Sequence, residues 1–79
     1  MGQRINPEEV IFDFFAPGGQ AVVVERARMK SFIWHEATWL NSDGLAEILY
    51  RKGDALDREH FVAMFPEVDL RLLTLIVLT

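Results

Sequence analysis

The first apolar positions of the chain recur with the period of a helix. Asn6, Pro7 and the acids after them form a typical helix start, because asparagine caps a helix, proline suits its first position and carboxylates complement its positive end. Apolar residues then follow three and four positions apart, at Val10, Ile11, Phe14 and Phe15. The residues 16–19 contain proline and two glycines. The pattern therefore predicts a first helix that ends at about residue 16.

The stretch 20–40 favours a β-hairpin. Three adjacent valines at 22–24 follow a glycine pair and indicate a strand, on which Arg26, Arg28 and Lys30 would share one face, with Glu25 on the other. A second strand is predicted from Phe32 to about Trp39, with the turn near residues 30–31. Since no Asn-Gly or Asp-Gly pair marks that turn, a single helix over 21–40 is the alternative interpretation.

Helices are predicted again in the second half of the chain. Residues 41–44 form a turn and cap, and apolar residues at helical spacing follow until Gly53. Asp54 or Asp57 begins a third helix that ends at Pro66 and buries four residues: Leu56, Phe61, Met64 and Phe65. Residues 70–78 are dense in leucine, isoleucine and valine. They are predicted to form a strand buried on both faces, with a helix as the alternative.

These elements define an α+β fold for a single domain over residues 1–79. The predicted order is helix, strand, strand, helix, helix, strand. The last strand is expected to insert beside the hairpin, so that a small antiparallel sheet packs against the helices.

Composition excludes several classes of protein. The 79 residues are 51% hydrophobic, which is too apolar for a disordered chain. With no cysteine, disulfide scaffolds, thiolate metal sites and cysteine nucleophiles are excluded, and a cytoplasmic location is expected. No apolar run approaches the ~20 residues that span a bilayer, so no membrane partner is expected. Nine aromatic residues exceed what so small a core hides, which favours a homodimer with three contributors: Trp34, Trp39 and the segment 70–78.

Catalytic motifs are missing from the sequence. His35-Glu36 resembles the start of a zinc-protease motif, but Trp39 stands where the second histidine belongs. Glu59-His60 is a second such pair, and structural histidines are the favoured interpretation of both. No glycine-flanked nucleophile, phosphate loop or dinucleotide fingerprint occurs. We therefore expect a protein that is not an enzyme and that uses no cofactor.

The charge balance disfavours direct binding to nucleic acid. Twelve acids and eight bases give a net charge of −4, whereas phosphate contacts call for a basic surplus. The alternative is a small DNA-binding regulator with a helix-turn-helix over residues 44–65. Its recognition helix would place Asp57 and Glu59 against phosphates, which would repel them.

Acidic residues are instead the candidates for contact with a protein partner that has a basic surface. Phe12 falls off the apolar stripe of the predicted first helix, so that an exposed ring would stand among carboxylates as a binding hot spot. Exposed acids speed association with an arginine-rich surface and make affinity sensitive to salt. The candidate partner-binding residues are Glu8, Glu9, Phe12, Asp13, Asp43, Glu47, Glu67 and Asp69.

In size, acidity and lack of cysteine, the whole chain resembles the small inhibitors encoded by phages and mobile elements, including anti-CRISPR proteins. The resemblance rests on composition and carries no aligned residue. It implies a stoichiometric inhibitor in the host cytoplasm that blocks a basic nucleic-acid-binding site on its target, such as a CRISPR effector complex.

Overall fold

A computed structural model describes residues 10–42 and 44–78. Four strands come first and three helices follow. The strands are β1 (Phe12–Phe15), β2 (Val22–Glu25), β3 (Lys30–His35) and β4 (Thr38–Asn41). The helices are α1 (Leu45–Lys52), α2 (Arg58–Met64) and α3 (Leu70–Leu78). The α+β class is confirmed, whereas the predicted order of elements is wrong because all strands precede the helices.

The four strands form one antiparallel sheet in the order β1-β2-β3-β4. The registers place Phe14 opposite Val23, Val23 opposite Phe32, and Trp34 opposite Trp39. Each strand therefore pairs with its neighbour in sequence, which short hairpin connections allow. β1 and β4 form the two edges of the sheet.

Both faces of the sheet are covered by helices. On one face, α1 buries Ala46 and Leu49 against three strand residues, which are Phe15, Val22 and Val24. On the other face, α2 and α3 supply Phe61, Leu73 and Val77 to a larger cluster with five buried partners: Phe14, Ala21, Val23, Phe32 and Trp39. Successive side chains of a strand point to opposite faces, so the valines of β2 fill both clusters.

Residues 12–15 form a strand instead of the end of the predicted first helix. Phe12 and Phe14 belong to the larger cluster, and Phe15 belongs to the smaller one. A strand covered on both faces is apolar on both sides, so its spacing imitates a helical stripe. Residues 6–9 of the predicted helix lie outside the described part.

Residues 20–40 contain antiparallel strands joined by tight turns, as predicted, but the first turn does not lie at the predicted residues 30–31. Residues 26–29 turn between β2 and β3, with the Met29 N–H donating to the Arg26 carbonyl at 3.3 Å. The second predicted strand is divided by a turn at Glu36 and Ala37, whose φ angles are 49° and 63°. Two left-handed residues form the type of hairpin turn that normally contains Asn-Gly. Because Glu and Ala stand at these positions, no sequence signal marks the turn.

The C-terminal segment is a helix, not the predicted buried strand. The side-chain carboxylate of Asp69 accepts the Leu72 N–H at 3.1 Å and so caps the first turn of α3. Leucine is a strong helix former. In addition, both sides of β2 and β3 are already paired, so the sheet has no interior place for another strand.

Helices α1 and α2 confirm the two predicted central helices. Gly53 ends α1 at a φ of 73°, and its N–H donates to the Leu49 carbonyl at 3.1 Å. Asp57 precedes α2, which buries Phe61 and ends before Pro66. The prediction that Met64 is buried is wrong, since its side chain is 46% exposed.

Candidate functional site

Asp13 on β1 is held by two neighbours and does not belong to an open acidic surface. Arg26, in the turn after β2, donates from Nε at 3.0 Å and from Nη2 at 2.7 Å to its two carboxylate oxygens. The Tyr50 hydroxyl of α1 donates to the same carboxylate. The Arg26 guanidinium lowers the pKa of Asp13, and burial together with this carboxylate raises the pKa of Tyr50 to about 12.

A second carboxylate, that of Glu25, is buried and is also matched by an arginine. Only 1% of Glu25 is exposed, and Arg28 donates to it from Nε at 2.5 Å and from its backbone N–H at 3.1 Å. Arg28 also donates to the Val77 carbonyl of α3 at 3.4 Å. A buried charge requires such a partner. This pair therefore joins the β2–β3 turn to the end of α3.

The predicted row of cations along one strand face does not exist. Arg26 and Arg28 lie in the turn before β3, and each is ion-paired with a carboxylate of the sheet. Only Lys30 lies on a strand, at the first position of β3. Two arginines and two acids thus neutralise one another, and this end of the molecule contributes little net charge.

The acidity of the protein is concentrated in residues 54–69, which we call the acidic segment. It contains five carboxylates and one arginine, a formal charge of −4 that equals the net charge of the whole chain. The remaining residues carry seven acids and seven bases. All five carboxylate residues are exposed: Asp54, Asp57, Glu59, Glu67 and Asp69. Within the described residues, none of them is in an ion pair.

Exposed apolar side chains lie within the acidic segment. Val62 and Met64 of α2 are 40% and 46% exposed, and Val62 follows Glu59 by three positions on the helix. Residues three apart are neighbours on a helix surface. An apolar contact surrounded by acids was predicted around Phe12, but that ring is half-buried against the larger cluster. On α2, exposed Val62 lies three positions from Glu59 and also lines a groove with Arg58, Asp69 and Arg71.

Those of the predicted partner-binding residues that the structure describes do not form one surface. Glu8, Glu9 and Asp43 lie outside the described residues. Asp13 is ion-paired, and Glu47 is exposed on α1, across the sheet from α2. Only Glu67 and Asp69 fall in the acidic segment.

Three acids of the segment were missed by the sequence analysis: Asp54, Asp57 and Glu59. They were treated as helix caps or as obstacles to DNA binding, although a net charge summed over 54–69 would have found them. Glu59 is exposed because α2 buries Phe61 alone, whereas Asp54 and Asp57 lie exposed in the connection before that helix. The excess of acidic residues is visible in the sequence, but it extends across the boundary between two predicted elements.

The helix-turn-helix prediction over 44–65 is not supported by the packing. Ala46 and Leu49 of α1 pack on one face of the sheet, and Phe61 of α2 packs on the other. In a helix-turn-helix the two helices pack against each other so that one enters the major groove. Here the sheet separates them.

The two histidines also lie apart. His35 ends β3 with its ring 3.6 Å from the carboxylate of Glu36, and His60 is on α2, exposed to solvent. No group of three or more metal-ligating side chains occurs among the described residues. A cleft of about 360 Å³ is lined by apolar residues such as Phe15, Leu49 and Leu56, with Lys52 and Asp54 as its charged groups.

Comparison of the chain with protein-family models, with curated proteins and with solved structures finds no match. The described helices have nine residues or fewer, and none of them has the length and apolarity that crossing a bilayer requires. Function is therefore argued from the acidic segment itself.

Proposed function

We propose that this protein is a non-enzymatic, stoichiometric inhibitor that docks its acidic segment onto a basic nucleic-acid-binding site of a protein target. The observation that carries the proposal is the segregation of charge. The acidic segment bears −4 in 16 consecutive positions, from 54 to 69, while the rest of the chain is formally neutral. A surface of one sign attracts a surface of the other, and carboxylates occupy sites that are built for phosphates.

The ion pairs elsewhere in the molecule support this assignment. Asp13 and Glu25 are satisfied by Arg26 and Arg28, so they hold the fold together. Within the described structure, the carboxylates of the acidic segment form no ion pair. Asp69 has a structural role of another kind, since it caps α3. A cationic surface can therefore bind these carboxylates without displacing an ion-pair partner within the described structure.

Exposed Val62 and Met64 supply the apolar contact that charge alone lacks. Charged rims steer association, whereas desolvated apolar anchors slow dissociation. A CRISPR effector complex is the proposed target class, since its guide–target duplex lies in a positively charged channel. The chain would occupy that channel or its entrance and exclude DNA.

The test is competition with DNA for purified, guide-loaded CRISPR effector complexes, measured by gel shift at low and high salt. We expect one complex to lose target DNA at a one-to-one ratio of inhibitor, with inhibition weakening as salt rises. A triple variant, Asp57→Asn, Glu59→Gln and Glu67→Gln, should inhibit at least about tenfold less, as expected for about 0.5 kcal/mol per carboxylate.

The matched control removes three charges outside positions 54–69 of the sequence, through Glu8→Gln, Glu36→Gln and Glu47→Gln. It has the same net charge as the triple variant, so it should inhibit within about twofold of the wild type if position matters more than total charge. Equal losses in both variants would show a non-specific charge effect. The proposal fails if no complex is inhibited, or if the chain alone shifts DNA.

A further inference from the structure

The two edge strands of the sheet differ in whether their outer backbone groups have a hydrogen-bond partner. On β1, the outward carbonyl of Phe14 accepts the N–H of Leu56 at 2.7 Å, in an isolated antiparallel bridge. No strand among the described residues pairs with the outer edge of β4. The register between β3 and β4 shows which groups that edge presents.

The outward groups of β4 belong to Trp39 and Asn41. The Ser42 N–H donates to the Ser31 carbonyl at 2.8 Å, so residues 42, 40 and 38 direct their backbone groups to β3. In an antiparallel pair, alternate residues point away. The N–H and C=O of Trp39 and Asn41 therefore point outward, and Leu40 lies midway between them with its side chain 48% exposed.

β4 is short, but it lacks the charge, proline and bulge that commonly protect edge strands from pairing. Its four residues, Thr38–Asn41, contain no charge and no proline, and their pairing with β3 is continuous. Natural edges are commonly blocked by lysine, proline or a bulge. A neutral, regular edge accepts another strand, and its lack of charge gives no preference for a charged peptide.

We propose that a second copy of this chain pairs with this edge, through β4 against β4 in antiparallel orientation about a two-fold axis at Leu40. In that register Trp39 lies opposite Asn41 of the other copy, and each pair exchanges two hydrogen bonds. All four outward groups of each strand are then satisfied. Leu40 faces its own equivalent in a close, non-hydrogen-bonded pair. The result is a continuous eight-stranded sheet.

The helix layer beside β4 matches this symmetry. The groove between α2 and α3 is lined by Val62, Leu70 and Thr74, so that flank of α3 faces α2. The opposite flank carries Leu72 and Ile76, which are partly buried, whereas Leu75 points away from the sheet and is 61% exposed. A two-fold axis perpendicular to the sheet keeps each face on its own side, so these flanks of the two α3 helices meet.

The spacing of the layers permits this contact. α3 lies over both β3 and β4, since Ile76 and Val77 share a cleft with Phe32 and Asn41. With strands about 4.8 Å apart, a helix between β3 and β4 stands about 5 Å from the axis. The two helices would then be about 10 Å apart, at the usual packing distance of helices. This layer is why a second copy fits better than an isolated strand.

The test is the oligomeric state by sedimentation equilibrium over micromolar to millimolar concentrations. For the wild type we expect a species of twice the 9.1 kDa chain mass. In Leu40→Lys the dissociation constant of the dimer should be at least about tenfold higher, because the variant places like charges opposite each other on the axis. Ile11→Lys is the matched control, since Ile11 is 47% exposed beside β1. It should leave the dimer intact, and both variants should keep the wild-type circular dichroism.

A charge rescue tests the position of the axis. Leu40→Lys and Leu40→Asp should each be mainly monomeric and should recover a dimer when they are mixed, because opposite charges then face each other. Amide exchange at Trp39 and Asn41 should slow with concentration in the wild type and in Ile11→Lys, but not in Leu40→Lys or Leu40→Asp alone.

A wild-type monomer at millimolar concentration overturns the proposal, and so does a monomer whose Trp39 and Asn41 amides are protected, which would mean that another part of the chain covers β4. Equal disruption by Ile11→Lys, or failure of the mixed variants to pair, also overturns it. The acidic segment is untouched by these variants, so inhibition and dimer formation can fail separately.

Discussion

The β1 and β4 edges belong to the same sheet, yet among the described residues only β1 has a further backbone partner. At β1, Leu56 donates to the backbone of Phe14, and the Phe61 ring of α2 lies 5.0 Å from the Phe14 ring. At β4, the Trp39 indole donates to the Asp69 carbonyl at 2.7 Å and its ring lies 5.0 Å from Trp34. The side chain is fixed there, but the outer backbone is left without a strand among the described residues.

This difference shows that a helix can cover a face of the sheet without supplying hydrogen-bond partners to the backbone of the edge strand. α2 and α3 bury the same face of the sheet, one over each edge strand. Only the connection before α2 runs along a strand edge and supplies a backbone partner. A short chain has few segments for this purpose, and the second edge is the one at which we propose that another copy pairs.

The largest effect is expected from Phe61→Ala, which removes the ring that holds α2 against β1. Phe61 is fully buried and contacts the rings of Phe14 and Phe65, so its loss should lower the free energy of unfolding by about 3–5 kcal/mol. Urea denaturation measures this. Val62→Ala, at the exposed neighbour, should change stability by less than about 0.5 kcal/mol. A small loss at Phe61 would mean that β1 is held by other contacts.

A smaller effect, of opposite sign, is expected from Ala37→Gly in the turn that leads into β4. Ala37 has a φ of 63°, a left-handed conformation that costs an L-residue about 1–2 kcal/mol and that glycine adopts freely. The greater entropy of glycine in the unfolded chain offsets part of that gain. The variant should therefore be more stable by about 0.5–1 kcal/mol.

The same substitution in a helix serves as its control. Ala63→Gly in exposed α2 should lose about 1 kcal/mol, because glycine disfavours helix. Thermal denaturation of both variants gives the two signs. Destabilisation at both positions would contradict the left-handed turn.

The smallest effect concerns the polar contacts of β1 and is visible in pH titrations. The pKa of Asp13 is lowered, so its contacts stabilise the fold above the ordinary value of 3.8 and are lost as pH falls through its folded pKa. The pKa of Tyr50 is raised to about 12, so its contribution is present below pH 10 and is lost as pH rises through about 12.

Tyr50 is the single tyrosine, so tyrosinate absorbance reports it alone. The midpoint should be near pH 12 in the folded wild type and should move toward 10 in Asp13→Asn. That variant should also lose less stability than the wild type on acidification. Glu36→Gln, at an exposed position in the turn between β3 and β4, should leave the tyrosinate midpoint unchanged. A wild-type midpoint near pH 10 would show that Tyr50 is not held by Asp13.

Part of the candidate site was predictable. The acidic balance of the chain pointed to a basic partner, and Glu67 and Asp69 were named among the candidate residues. Which acids remain available is a different question, because it depends on contacts between residues distant in sequence. Asp13 meets Arg26 from the next strand connection and Tyr50 from α1. No local pattern shows such pairing.

The sequence by itself determined the elements whose signals are local. Gly53 ends α1, Pro66 follows α2, and adjacent valines form β2, because backbone preferences and caps act within a few residues. The tertiary structure decided the rest. Residues 12–15 became a strand because helices cover both faces of the sheet there, and 70–78 became a helix because every interior strand position was already paired. Burial on all sides erases the periodicity that separates helix from strand, so only the neighbours in space could choose between them.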